Sequence, residues 1–126
     1  MAISNSAIPL PMEKPKFIDP ATRRSIEMYL DRIADDYPIE EVWLYGSRAR
    51  GDAKPDSDAD LALILGGPKG VTMSTAMALA RPEYEILLET GILLSGFPIW
   101  KEDWLDPSGH SNPWLLANIK QDGIRL

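Results

Sequence analysis

Two aspartates, Asp58 and Asp60, stand at the mouth of an apolar run in the stretch WLYGSRARGDAKPDSDADLALIL, Trp43 to Leu65. Alternate side chains of a strand share a face, so the two carboxylates point the same way, with Cα atoms about 6.6 Å apart. Both ionised in a dry setting, they would repel each other. Solvation, hydrogen bonds or a bridging cation relieves that repulsion. Mg2+ suits the last case, because it takes a few carboxylates and completes its octahedron with water and phosphate oxygens. An isolated D-x-D is ordinarily a turn before a strand, and Asp56, Ser57 and Asp58 are turn formers. Asp60 argues for more, because it adjoins Leu61 in a run whose other members are apolar.

Gly46-Ser47 ends the preceding apolar run. Glycine allows a sharp turn and close approach of a ligand to the backbone. Serine supplies a hydroxyl and can cap a following helix, whose free N–H groups attract phosphate. Arg48 and Arg50 follow, as residue types that bind phosphate oxygens through paired N–H donors. Together these residues could hold a triphosphate at one end and its magnesium at the other. Two rival readings fail on spacing. An EF-hand loop beginning at Asp56 needs glycine sixth and glutamate twelfth, but Leu61 and Gly67 stand there. A P-loop across Gly46 and Gly51 needs lysine and then serine or threonine, but Asp52 and Ala53 follow.

The run Gly46-Ser47-Arg48-Ala49-Arg50-Gly51, then Ser57-Asp58-Ala59-Asp60-Leu61, resembles the signature of the minimal nucleotidyltransferases in the DNA polymerase β-like superfamily: G-S-x-A-R-G, a short loop, then S-D-x-D. The likeness covers roughly residues 42–65. It implies that Gly46 and Ser47 contact nucleotide phosphates with Arg48 and Arg50 nearby, and that Asp58 and Asp60 ligate Mg2+ and are catalytic. The implied reaction transfers a nucleoside monophosphate, with ATP the expected donor, to an acceptor hydroxyl as pyrophosphate leaves. Its physical logic is metal-ion catalysis at both the attacking and the leaving oxygen. Stand-alone members of the family also resemble the antitoxin half of a toxin–antitoxin pair whose toxin is a helical HEPN-domain ribonuclease. A second expectation is therefore an antitoxin-like or regulatory partner protein with little catalysis.

The sequence departs from this pattern in one respect. Active members usually carry a third carboxylate on the next strand. The corresponding segment ILLSGFPIW is without acidic residues, and Ser95 is its one polar side chain. Glu85, Glu89, Glu102 and Asp103 are the nearby substitutes, each better read as a solvated surface charge. Binding of a nucleotide with Mg2+ is thus a firmer expectation than fast transfer.

Positioning these residues requires elements on both sides. Asp19-Pro20 forms a helix start, a capping acceptor before a proline. Ile26, Tyr29, Leu30, Ile33, Ala34 and Tyr37 then recur at helical spacing until Pro38. EVWLYGS reads as a strand apolar on both faces, interior to a sheet, and ADLALIL as a second buried strand ended by Gly66-Gly67-Pro68. Met73, Met77, Ala80, Tyr84, Leu87 and Leu88 carry a helical stripe between about Val71 and Thr90, with Gly91 as C-cap and a kink or break expected at Pro82. ILLSGFPIW is a third strand, placed near an edge by Pro98. Asn112-Pro113 opens a last helix, running to about Gln121 before Gly123. The order α-β-β-α-β-α predicts a mixed α+β domain, a short sheet packed with helices. It occupies residues 19–126, behind a proline-rich arm at 1–18.

Composition bounds the function. The 126 residues carry a net charge of −6 and contain no cysteine. Acidity argues against an extended nucleic-acid-binding face, and the missing cysteines exclude disulfides and thiolate metal sites while suiting a reducing cytoplasmic setting. No apolar run has the ~20 residues of a membrane helix, and the first residues do not read as a signal peptide. Phe97, Trp100, Trp104 and Trp114 lie close together in sequence; at least two of the tryptophans are expected in the core, the rest being available for a protein partner or a homo-oligomer. His110, in a turn-rich segment, is expected to be exposed.

Overall fold

The computed structural model describes residues 17–126, so the expected arm lies outside the described residues up to residue 16. Helix α1 (Pro20–Ile33) starts where Asp19 accepts a hydrogen bond from the Thr22 N–H at 2.9 Å and another from its hydroxyl at 2.6 Å. Strand β1 (Ile39–Tyr45) leads into a one-turn helix α2 (Ser47–Arg50), and a loop then returns as β2 (Ala59–Leu65). Helix α3 (Thr72–Thr90) crosses to β3 (Leu94–Trp100). The chain closes with α4 (Lys101–Leu105), a 3-10 turn (Pro107–Gly109), α5 (Pro113–Asp122) and the two-residue strand β4 (Ile124–Arg125).

The sheet runs β3-β2-β1-β4, with β2–β3 parallel and the other pairs antiparallel. The architecture is therefore the expected mixed α+β fold with a four-stranded sheet. Strand β2 sits between two partners, which explains why its residues from Leu61 onward are all buried. Its alternation assigns the two layers. Leu61, Leu63 and Leu65 pack with Ile26, Tyr29 and Ile33 of α1 and Leu79 and Ile86 of α3. Ala62 and Ile64 face the other way, toward Trp104 and toward Leu116 and Ile119 of α5. Trp100 and Trp104 are core residues, whereas Trp114 is 77% exposed. His110 is half-buried, its ring edge-on to Phe97.

His110 was expected to be exposed, and two further details differ from expectation. Helix α3 passes through Pro82 as a single element. The proline forfeits the bond to the carbonyl four residues back, which belongs to the exposed Ala78 and is open to water. The apolar stripe on α3 also faces outward: the buried residues of that helix are Leu79 and Ile86, while Met73, Met77, Tyr84 and Leu88 are exposed. No helix among the described residues is long and apolar enough to cross a membrane.

Candidate active site

The turn after β1 depends on glycine. Gly46 has φ 77° and ψ −158°, a conformation that residues with a side chain rarely adopt. A Cβ placed there would also lie 2.5 Å from Oδ2 of Asp60. Backbone at Gly46 and carboxylate at Asp60 are thus packed against each other with no room for a methyl group. The Gly46 carbonyl accepts from the N–H groups of Ala49 and Arg50, and Gly51 closes the short helix in the left-handed region at φ 85°. Gly46 is therefore the N-cap, and Ser47 is the first helical residue instead of the cap it was expected to be. The Ser47 hydroxyl makes no hydrogen bond to the described residues, so it stays available at the turn.

Asp60 pairs across the sheet with Tyr45 on β1 and Ser95 on β3, a row of three side chains on the α5 face. Asp60 is half-buried, and Asp58, just before the strand, is exposed. No described residue donates a hydrogen bond to either carboxylate. Burial first, and then the charge of Asp58, push the Asp60 carboxyl above its ordinary range, with Arg50 pulling the other way. Burial and the Asp60 charge likewise push the Tyr45 phenol up to about 12. A half-buried carboxylate with a like-charged neighbour and no donor is a poor structural element but a suitable cation ligand. The close approach at Gly46 and the neighbouring charge of Asp58 fit a Mg2+ ion that would draw its remaining ligands from water and phosphate.

The two arginines of the motif part company. Arg48 is almost buried, its side chain 8% exposed. Its Nε donates to the Ser57 carbonyl at 2.9 Å, Nη1 to the Thr22 hydroxyl at 3.0 Å and Nη2 to the Pro55 carbonyl at 3.2 Å, with Asp19 at 3.7 Å. It ties the loop before β2 to the start of α1, so its donors are committed within the protein. Arg50 is 54% exposed and bonded weakly to Asp52 at 3.3 Å. It lines a cleft of about 270 Å³ together with Tyr45, Gly46, Leu115, Asn118 and Asp122. Asn118 and Asp122 had no signal in the sequence beyond their place on α5, because nothing there showed that α5 would border Gly46.

The carboxylates weighed as a third metal ligand lie elsewhere. Glu85 and Glu89 both pair with Arg32 of α1. Glu102 and Asp103 follow Trp100, which pairs with Leu65, five positions along β2 from Asp60 and about 16 Å away. Asp103 there is buried, contrary to the solvated charge expected, and forms an ion pair with Lys69 at 3.0 Å. Sequence reasoning passed over Glu83, which reaches β3 on the opposite face: its Oε2 accepts from the buried Tyr29 hydroxyl at 2.7 Å and from the Gly96 N–H at 2.9 Å. Among the described residues no cluster of three acidic or histidine side chains is placed to hold a metal. Beside Asp60, on the strand where such a ligand would stand, is the exposed Ser95.

Comparison with known proteins gives the family and the fold. The family model described as "Nucleotidyltransferase domain" matches residues 26–95, more than half of the chain. No curated protein matches. Among solved structures, a crystal structure from Sulfolobus solfataricus, provisionally described as a nucleotidyltransferase, aligns over 91% of this chain and 90% of its own, with a TM-score of 0.50 and 21% identity. At that identity the likeness speaks to fold.

Proposed function

The chain belongs to the nucleotidyltransferase domain family, of the DNA polymerase β-like kind, and on that premise we propose that it transfers a nucleoside monophosphate, AMP from ATP being the reference case, to an acceptor hydroxyl. The observation that carries this reading is Asp60, without a hydrogen-bond donor among the described residues, beside the charge of Asp58 and pressed against Gly46, which borders an open cleft. Asp58 and Asp60 would hold Mg2+, which when bound supplies charge neutralisation on the phosphate oxygens and a more acidic attacking oxygen. The backbone at Gly46, the free Ser47 hydroxyl and the Arg50 guanidinium bind and orient the phosphates. Arg48 acts one step removed, fixing the loop that carries Asp58. The acceptor oxygen bonds to the α-phosphorus while the α–β bridging bond breaks, and pyrophosphate leaves with that electron pair. The hydroxyl proton passes to water, because the neighbour of Asp60 on β3 is Ser95, which cannot take it.

Isothermal titration with ATP and Mg2+ tests this, with Asp58→Ala and Asp60→Ala as controls. Saturable binding lost in both variants is expected. Heat that is absent, or indifferent to both substitutions, removes the reading.

Ser95 supports a second reading, in which the site binds nucleotide and the chain acts as a regulatory, antitoxin-like partner with little transfer. Ser95→Asp separates the two. If slow catalysis is the function, restoring a carboxylate beside Asp60 raises transfer of label from α-labelled ATP at least about tenfold. If binding alone is the function, Ser95→Asp changes affinity and yields no labelled product.

A further inference from the structure

Helix α3 turns an unbroken apolar band to solvent. Met73 and Met77 are each 69% exposed, Leu88 68% and Tyr84 59%, and Ala80 between them is exposed as well. Their spacing of four, three, four and four residues keeps them on one side of a helix. Buried Leu79 and Ile86 lie on the side that meets the sheet. Single exposed apolar residues are ordinary, but a contiguous band this long covers on the order of 500 Å², which marks an interaction surface.

The order of residues in the band identifies the occupant. Met73 and Leu88 lie equally far from the midpoint between Ala80 and Arg81, and so do Met77 and Tyr84. A two-fold axis through that midpoint sets Met73 against the partner's Leu88 and Met77 against the partner's Tyr84, a sulfur–ring contact. The small Ala80 sits at the crossing, where it lets two helices approach to the usual 8–10 Å. The flank carries Arg81, 90% exposed, and Glu85, which are 3.9 Å apart within one chain, so each copy pairs these charges itself. A C2 contact needs one surface complementary to itself. The exposed band, counted on both copies, approaches the ~1,200 Å² at the lower bound of stable interfaces.

We propose that this chain forms a two-fold dimer through α3, with the helices antiparallel and crossing at Ala80. The surface is independent of the nucleotide site.

Sedimentation equilibrium of the full chain from 1 to 100 μM tests it. A mass near twice 14.0 kDa is expected at the upper end; a monomer at every concentration overturns the proposal. Met77→Glu is expected to leave the circular dichroism melt in place and shift the chain to monomer. Adding Tyr84→Lys in the same chain restores the dimer, because position 77 then meets its opposite charge across the axis. A dimer indifferent to Met77→Glu, or one that Tyr84→Lys fails to restore, overturns the antiparallel register. Since the chain contains no cysteine, Ala80→Cys gives an independent reading. Oxidation should link two copies through Ala80→Cys and not through the exposed Ala78→Cys on the flank; equal cross-linking of both counts against the proposal.

Discussion

Glu83 and Asp60 reach the sheet at adjacent rungs from opposite faces, Glu83 at Gly96 and Asp60 beside Ser95. Burial pushes both carboxyls above their ordinary range. Glu83 is answered by a fully buried hydroxyl and a backbone N–H, which pull its value back. A methyl group on Gly96 would strike the Tyr29 hydroxyl at 2.5 Å, so the strand itself is cut to fit that network. Asp60 has no donor among the described residues, and the charge of Asp58 repels it. The same chemical group is thus a structural tie on one face and an open ligand on the other. The number of donors within reach, more than burial, separates the two roles.

The largest effect expected from breaking this contrast lies on the satisfied side. Glu83→Ala leaves the Tyr29 hydroxyl and the Gly96 N–H unpaired and should cost ~2–4 kcal/mol in urea unfolding. Glu83→Gln keeps an acceptor and should stay within ~1 kcal/mol of wild type. If Glu83→Ala is neutral, the network is not the tie described.

Gly46→Ala comes next, where the open side meets the backbone. The positive φ and the close approach to Asp60 predict a loss of ~1–3 kcal/mol, together with loss of Mg2+-dependent ATP binding in the same titration. A variant that binds as wild type would show that the carboxylate can move aside freely.

The arginines carry the contrast into the loop. Arg48→Ala should lower stability by ~1–2 kcal/mol. Arg50→Ala should leave stability within ~0.5 kcal/mol but weaken ATP binding about tenfold. Reversal of these two results would exchange the assigned roles.

The smallest effect is on Asp60 itself without ligand. A carboxyl whose folded pKa is raised favours folding below its unfolded pKa, and that contribution is lost as pH rises through the folded value. Asp60→Asn should therefore melt about 1–3 °C higher than wild type near pH 7 without Mg2+. The difference should shrink as pH falls through the raised value and vanish below the unfolded value near 3.9. A variant less stable than wild type at neutral pH would mean that Asp60 has a hidden donor.

Much of this arrangement was legible in residue order. Strand β2 was readable to its ends, because everything after Asp60 is apolar until Gly66-Gly67. Asp19-Pro20 located the start of α1, and the gap at Ser95 was visible in the residue order. Helix α2 and strand β4, at four and two residues, are too short to show a period. The stripe on α3 located the helix but not the side the sheet would take, since periodicity defines a face without naming its neighbour. Arg48 and Arg50 look alike in the motif; they separate because the loop at residues 54–57 folds back on one of them, a tertiary event with no local signature.

One consequence of the sheet's margins concerns colloidal behaviour. Strand β3 is an outer strand, and unpaired outer strands invite growth by edge-to-edge pairing. Here the outward N–H of Gly96 is held by Glu83, and two residues on Pro98 has none to offer. At the opposite margin β4 is only two residues long. Among the described residues the β3 border thus lacks a continuous row of donors, which works against strand-to-strand growth there.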